Sequence, residues 1–255
     1  MRSTAFDADA AGYDTIAESA LGSELRRRVR VVLDRVTAPG DHVADLGCGS
    51  GIDAEWLAPQ VRRVSAFDVS AEMVALTKDR CRRFSNVATR RADVGTLALD
   101  EPVDLVLCNF GVVNCVGDLR AFGHRLQAMV RPGGYAVIVT MPRWCPLELV
   151  VGITTGNREL IGRRRGGHYR DIALRYASAN RLHDALPRDF ELVSAESLGL
   201  VLPPIEQRSL LQARPRLLSA LAVVDERIGR VGAKLGWGDH HITVFRQPAL
   251  IAGAS

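Results

Sequence analysis

The chain is short of lysine, of aromatic rings and of cysteine, and each shortage narrows what it does. Lys78 and Lys234 are the only lysines among 33 basic residues, and against 29 acids they leave a formal net charge of +4. Beyond the helix arginines of 26–30, Arg163 to Arg165 is the one dense basic cluster, so the mild basicity reads as a solvated surface rather than a nucleic-acid footprint. Aromatic residues make up 5% of the chain, which gives little material for stacking bases. The five cysteines, Cys48, Cys81, Cys108, Cys115 and Cys145, contain no C-x-x-C pair. An odd, unpatterned set points to reduced thiols and excludes a disulfide framework or a structural zinc site. No stretch approaches the roughly 20 apolar residues needed to cross a bilayer, and the amino terminus has no apolar signal core. These absences lead to the expectation of a cytoplasmic or peripheral protein without a metal.

What is present is an ordinary globular composition, 47% apolar and 24% charged over 255 residues, enough for one large α/β domain. Residues 1–20 are weakly patterned, an arm or short helix around Phe6, Tyr13 and Ile16. From Ser23 to Val36 an apolar spacing predicts a helix with Ser23 as its cap, and Arg26, Arg27, Arg28 and Arg30 fall on what reads as its wet face. Strands are expected at 42–46, 61–67, 86–89, 103–108 and 135–140, with helices at 52–57, 71–83 and 118–130 between them. That alternation predicts a mostly parallel sheet. Beyond Met141 the pattern loosens. Short helices are expected at 145–151 and 182–186, a strand at 168–174, an edge strand at 190–197, a helix at 216–228 and a last strand at 241–245, with no internal repeat.

The stretch Val43 to Gly51, V-A-D-L-G-C-G-S-G, organises the rest. A short apolar strand runs into Asp45 and then into three glycines at alternating positions, a turn that brings bare backbone close to a ligand at the carboxyl edge of a parallel sheet. It lacks the lysine and hydroxyl of a triphosphate-binding loop. Its glycines stand at relative positions 1, 3 and 5, where a dinucleotide fingerprint needs 1, 3 and 6. A nucleotide-like ligand is implied, but the turn alone does not name it.

The wider set of motifs is more specific. D-L-G-C-G-S-G, the strand-ending Asp68, R-A-D at 91–93, D-L-V-L-C-N-F-G at 104–111 and R-P-G-G-Y at 131–135 together resemble the class I, Rossmann-like S-adenosylmethionine-dependent methyltransferases. The resemblance is strong over residues 40–140. It implies a three-layer α/β/α fold with a mostly parallel seven-stranded sheet and an antiparallel last strand. It also implies one domain over 1–255: an arm and helix to residue 40, a cofactor core over 41–140, substrate-pocket additions at 141–188 and 204–237, and the last strand at 238–246. By the same resemblance Asp45, Gly47, Cys48, Gly49 and Gly51 hold the methionine end of S-adenosylmethionine, and Asp68 receives the ribose hydroxyls. Asp93 accepts from the adenine amino group, Val69, Met73 and Val94 flank the ring, Asn109 contributes backbone contacts near the methionine amino group, and Phe110 borders the methyl-transfer site. Cys48 and Cys108 read as packing residues, since no neighbour that would lower a thiol pKa is legible.

For the acceptor, F-G-V-V-N-C-V-G-D-L at 110–119 and M-P-R-W-C-P-L-E at 141–148 resemble, more loosely, the bacterial small-molecule branch that methylates quinones and secondary metabolites. The implied acceptor is small, apolar or aromatic, with an acidic group. Trp144, Tyr169 and Arg165 are the candidate substrate contacts, with Arg163, Arg164 and Arg170 beside them. His240, His168 and Tyr13 are the candidate proton acceptors, and His183 is a further histidine near the pocket-building segments. His240 is favoured because D-H-H at 239–241 sets an imidazole beside a carboxylate. A nucleic-acid methyltransferase is the rival enzyme, but N/D-P-P-Y/F and an obvious RNA-binding module are missing. A non-catalytic cofactor-binding scaffold is the rival from another class. The chain is expected to be a monomer or homodimer.

Overall fold

The structure is a computed structural model that describes residues 6–7, 10–165, 167–169 and 172–249; the side chain expected at Tyr169 and the whole of Arg170 lie outside the described residues. The chain opens with α1 (Ala10–Ala17) and α2 (Ala20–Leu33), and then alternates through β1 (His42–Leu46), α3 (Ile52–Leu57), β2 (Arg63–Asp68), α4 (Ala71–Arg80), β3 (Val87–Arg91) and β4 (Val103–Cys108). It continues with α5 (Leu119–Met129), β5 (Val130–Thr140), α6 (Pro146–Thr155), α7 (Arg158–Gly162) and the two-residue strands β6 (His168–Tyr169) and β7 (Ile172–Ala173). The remaining elements are α8 (Ala179–Ala185), β8 (Glu191–Leu198), α9 (Ser209–Gln212), α10 (Pro215–Leu235) and β9 (His240–Arg246).

Seven strands form one sheet in the order β3-β2-β1-β4-β5-β9-β8, with β9 antiparallel to both neighbours. The period-2 alternation along each strand sends side chains to two cores. Val43, Leu105, Leu107, Val137 and Val139 join α2 and α3 on one face, while Ala44, Val106, Cys108, Ala136 and Ile138 join Phe122 and Leu126 of α5 on the other. The result is the three-layer α/β/α arrangement with the antiparallel last strand. The chain leaves β1 to both sides, toward β2 and toward β4, so a crevice opens at their carboxyl ends, the usual place for a ligand in such sheets.

Several expectations are corrected. Helix α2 is capped by Ser19, whose hydroxyl accepts from Gly22 N at 3.2 Å, and Ser23 lies one turn inside it. The single strand expected over 168–174 is the hairpin β6–β7. Pro132-Gly133-Gly134, expected as a turn before the fifth strand, is an irregularity inside β5, where pairing with β4 shifts between Val103 and Leu105. Helix α10 runs to Leu235, well beyond Ile228. Its Gly229 and Gly232 look like a helix end in the sequence, but they are contact points against β8: an added Cβ would come within 3.0 Å of Ser197 O and 2.3 Å of Leu200 Cδ1 respectively.

The arginine-rich face of α2 is also not the wet surface expected. Arg26 and Arg28 are 6% and 3% exposed. Arg28 donates to Asp225 Oδ2 at 2.6 Å and to Ser197 O at 3.1 Å, and Arg26 pairs with Asp53. Buried cations are tolerated only with such partners.

Candidate active site

The glycine turn leaves β1 with Gly47, Gly49 and Gly51 all at positive φ, 74°, 55° and 83°, a run that side-chain-bearing residues adopt only at a cost. Gly47 and Cys48 N–H groups donate to Phe67 O at 2.7 and 2.9 Å, which ties the turn to β2. Asp68, at the end of β2, accepts from Gly49 N at 3.0 Å through one oxygen and from Ser70 N at 2.9 Å through the other. Burial raises its pKa, and those N–H bonds oppose the rise. Helix α1 lies over the turn. Asp14 accepts from Ser50 Oγ at 2.5 Å and from Arg80 Nη2 at 2.6 Å, and a Cβ on Gly49 would stand 3.5 Å from the Tyr13 ring. Burial pushes the Tyr13 phenol up, so it stays protonated at neutral pH and is poorly suited to act as a base.

Beside the turn sits a buried polar cluster. Asp53, from the first turn of α3, accepts from Arg26 and from Asn109 Nδ2, the latter at 2.7 Å. The Arg26 guanidinium lies 4.9 Å from the Phe110 ring centroid. Phe110 itself is at φ 45°, a left-handed conformation rare outside glycine, and its N–H donates to Asn109 Oδ1 at 2.9 Å. Three buried atoms of this cluster, Asp45 Oδ2, Asp53 Oδ1 and Arg26 Nε, have no hydrogen-bond partner among the described residues. Burial, reinforced by Asp53, pushes the Asp45 carboxyl well up. Sequence reasoning missed Arg26 and Asp53. The available signals were an arginine next to Leu25 on the apolar side of α2 and an acid two residues past the last glycine.

The remaining expected residues divide. Met73 and Val94 are buried and Val69 is half-buried. Asp93 is exposed just past β3 and accepts from Gly95 N at 2.7 Å; Ala92 N donates to Asp68 O, so Asp68 and Asp93 lie on neighbouring strand ends. Burial, helped by Asp45, pushes the Cys48 thiol well up, and the Cys108 thiol also rises on burial, so both stay protonated packing groups.

On the other side of Phe110 stands His240, its ring edge-on to the phenyl at 5.4 Å between centroids. Pairing of His241 with Thr140 places this end of β9 at the carboxyl edge of β5. His240 Nδ1 lies 3.0 Å from Asp239 Oδ2. Burial works to raise the Asp239 pKa, but His240, Arg164 and Arg163 outweigh it and hold the carboxyl well below the usual range. His241 is structural: Nδ1 accepts from Ala179 N at 3.1 Å and Nε2 donates to Trp237 O at 3.1 Å, and burial lowers its pKa to about 4. His183 is exposed on α8 and stacks on the buried Phe245, and His168 is exposed on β6.

Two members of the Arg163 to Arg165 cluster are committed to internal acids. Arg163 holds Glu148 through Nε and Nη2, both at 2.9 Å. Arg164 bridges Glu148 at 2.7 Å and Asp239 at 2.5 Å. Cys145, Glu148 and Asp239 offer ligand atoms within 4.8 Å of one another, but the Arg164 guanidinium is the cation seated between the two acids. Only Arg165 of the three is exposed. With Trp144, Arg143 and Leu160 it lines a cavity of about 150 Å³.

Residues 43–134 match the family model of a methyltransferase domain. Sheet order and glycine turn give the chain the three-layer, Rossmann-like fold of the class I methyltransferases, and the matched segment is its methyltransferase-like core. A demethylmenaquinone methyltransferase of Tropheryma whipplei (strain Twist) is 30% identical over 112 residues, covering 44% of this chain and 46% of that protein, so the chain spans about half the length of this relative. A ubiquinone biosynthesis O-methyltransferase of Xanthomonas campestris pv. campestris (strain B100) is 28% identical over 193 residues, 73% of this chain and 77% of that one. Among solved structures, a chain of the complex between the Haloferax volcanii Trm112 methyltransferase activator and a methyltransferase superposes with a TM-score of 0.65 at 18% identity, covering 97% of this chain and 99% of that chain. The N-methyltransferase NodS of Bradyrhizobium japonicum WM9, in complex with S-adenosyl-l-homocysteine, gives 0.62 at 16% identity over 95% and 96%. At these identities the structural likeness is one of fold.

Proposed function

We propose that this chain transfers a methyl group from S-adenosylmethionine to a small hydroxylated aromatic acceptor of the quinol kind. The carrying observation is the set of buried, unpartnered atoms at the glycine turn, Asp45 Oδ2, Asp53 Oδ1 and Arg26 Nε. Two acids and a guanidinium suit a zwitterionic amino-acid end, an ammonium toward the carboxylates and a carboxylate toward Arg26. The pyrophosphate of a dinucleotide would instead meet two carboxylates. Asp68 has acceptor capacity left for ribose hydroxyls, Asp93 serves the adenine amino group, and Val69, Met73 and Val94 flank the ring.

When bound, the cofactor supplies an already activated methyl group, so the protein's task is alignment at about 3 Å and exclusion of water. Phe110, fixed by Asn109 and by the Arg26 guanidinium, borders the acceptor. His240 takes the hydroxyl proton on Nε2, while the ionised Asp239 keeps the proton on Nδ1 and orients the ring. Both relatives act in quinone pathways by their names, and the ubiquinone biosynthesis O-methyltransferase supports an oxygen acceptor. Incubation with methyl-labelled cofactor and demethylated quinols tests the reading. Labelled product is expected, with turnover of His240→Ala reduced by roughly 100-fold. Cofactor binding without transfer to any small molecule would favour a scaffold, and label in RNA would favour the nucleic-acid reading.

A further inference from the structure

Helix α10 carries more apolar surface than it buries. Its inner face, Leu218, Ala222, Asp225, Gly229 and Gly232, packs toward β8 and α2. One step around the helix a second stripe, Leu217, Leu221, Val224, Ile228, Val231 and Leu235, recurs at spacings of four, three, four, three and four. Five of these six are 37–58% exposed. A stripe this regular, extending over most of the helix, is a larger apolar surface than scattered exposed residues explain.

The next row around the helix is basic. Arg216, Arg227, Arg230 and Lys234 are exposed, and none forms an ion pair with a described residue. The acids of α10 are already used, Asp225 by Arg28 and Glu226 by Arg27. At its carboxyl end the stripe meets Trp237, which bridges to Trp144, and the two indoles are 44% and 51% exposed. Helix α6, which follows Trp144, adds Val150 and Ile153 in the open.

We propose that this face docks on the surface of an anionic phospholipid bilayer, with the α10 stripe and the tryptophan pair in the interfacial region and the four cations at the headgroups. Aliphatic residues beside a row of unpaired Arg and Lys, ending in indoles, match the chemistry of that boundary. Charge decides against a second copy as the occupant. Two α10 helices joined antiparallel, stripe to stripe, run one basic row along the other, whereas a phosphate-rich surface neutralises both. The docking does not depend on the methyl-transfer reading, but it would orient the site: Asp239 and His240 lie two and three residues past Trp237, so an acceptor dissolved in the bilayer would arrive beside His240.

The test is flotation of the full chain, without cofactor or acceptor, with phosphatidylglycerol-containing vesicles and with pure phosphatidylcholine vesicles. Binding to the anionic vesicles is expected, with a blue-shifted tryptophan emission, and weakened as salt rises from about 0.1 M to about 0.5 M. Arg227→Gln and Lys234→Gln should each weaken it roughly fivefold, and Val224→Asp with Ile228→Asp should abolish it while far-ultraviolet circular dichroism stays unchanged. The salt titration of the unmodified chain stands even where a variant misfolds. Absence of binding to anionic vesicles at low salt overturns the proposal. So does a stable dimer that Ile228→Asp converts to monomer while vesicle binding is unchanged.

Discussion

Asp68 shows how much one carboxylate does at this site. Each oxygen already accepts one backbone N–H, from Gly49 or Ser70, so the group braces the glycine turn before any ligand arrives. A carboxylate has about four acceptor positions, which leaves two for a ribose diol. Asp68→Ala is therefore expected to weaken S-adenosylmethionine binding by about 1–3 kcal/mol, roughly 5- to 150-fold in Kd. Titration calorimetry checks this, and a change below about twofold would take Asp68 out of the site. His241 sets a different residue-scale expectation. Its Nδ1 accepts and its Nε2 donates, which requires the neutral ring, and its pKa falls to about 4 against about 6.5 unfolded. Between those values the unfolded chain binds more protons. Stability therefore rises with pH through this window and is lost as pH falls from about 6.5 toward 4, by about 3 kcal/mol at most. His42, lowered by burial and by Arg63, acts in the same direction. Urea unfolding at pH 7 and pH 5 should show the loss, and His241→Asn should flatten it; an equal slope in that variant would assign the proton elsewhere.

Among the elements, α10, α2 and the end of β8 are held by one buried acid. Asp225 accepts from Arg28 at 2.6 Å and from the N–H groups of Gly199, Leu200 and Val201 at 3.0, 2.6 and 2.8 Å. Asp225→Ala leaves a buried guanidinium and three backbone donors uncompensated, and is expected to cost about 3–5 kcal/mol in urea unfolding. Adding Arg28→Met should recover part of the loss, whereas strictly additive losses would show that the pair is not coupled. This pair also marks where sequence reading stops. The βα alternation through Thr140 was legible because strands and helices there follow local periods of 2 and 3.6 and end at Gly and Pro. The glycine turn and the strand-ending position of Asp68 were legible because glycine runs and strand ends are local features. Arg28 and Asp225 are 197 residues apart, and nothing local distinguishes a buried arginine on α2 from a solvated one. Arg26, Arg163 and Arg164 were misread for the same reason, since charge partners are set by tertiary packing. Gly229 and Gly232 lower helix propensity, so the extent of α10 was hidden by residues whose purpose is contact with β8.

At the scale of the whole molecule, the crevice between β1 and β4 gathers groups from distant parts of the chain: Tyr13 of α1, Arg26 of α2, Asp45 of β1, Asp53 of α3, and Asn109 and Phe110 after β4. A ligand that satisfies Asp45, Asp53 and Arg26 touches elements on both sides of the point where the sheet order reverses. Its binding energy should therefore appear in the stability of the fold rather than in one loop. At about 100 times Kd, a ligand bound only by the folded state adds about 2.7 kcal/mol. For a chain of this size that corresponds to a rise of roughly 5–10 °C in Tm. S-adenosylmethionine is expected to produce that rise in differential scanning calorimetry, and Asp68→Ala to reduce it at the same concentration. A nicotinamide dinucleotide is expected to leave Tm unchanged, because its pyrophosphate would face Asp45 and Asp53. The reverse pattern, a rise with the dinucleotide and none with S-adenosylmethionine, would overturn the cofactor assignment.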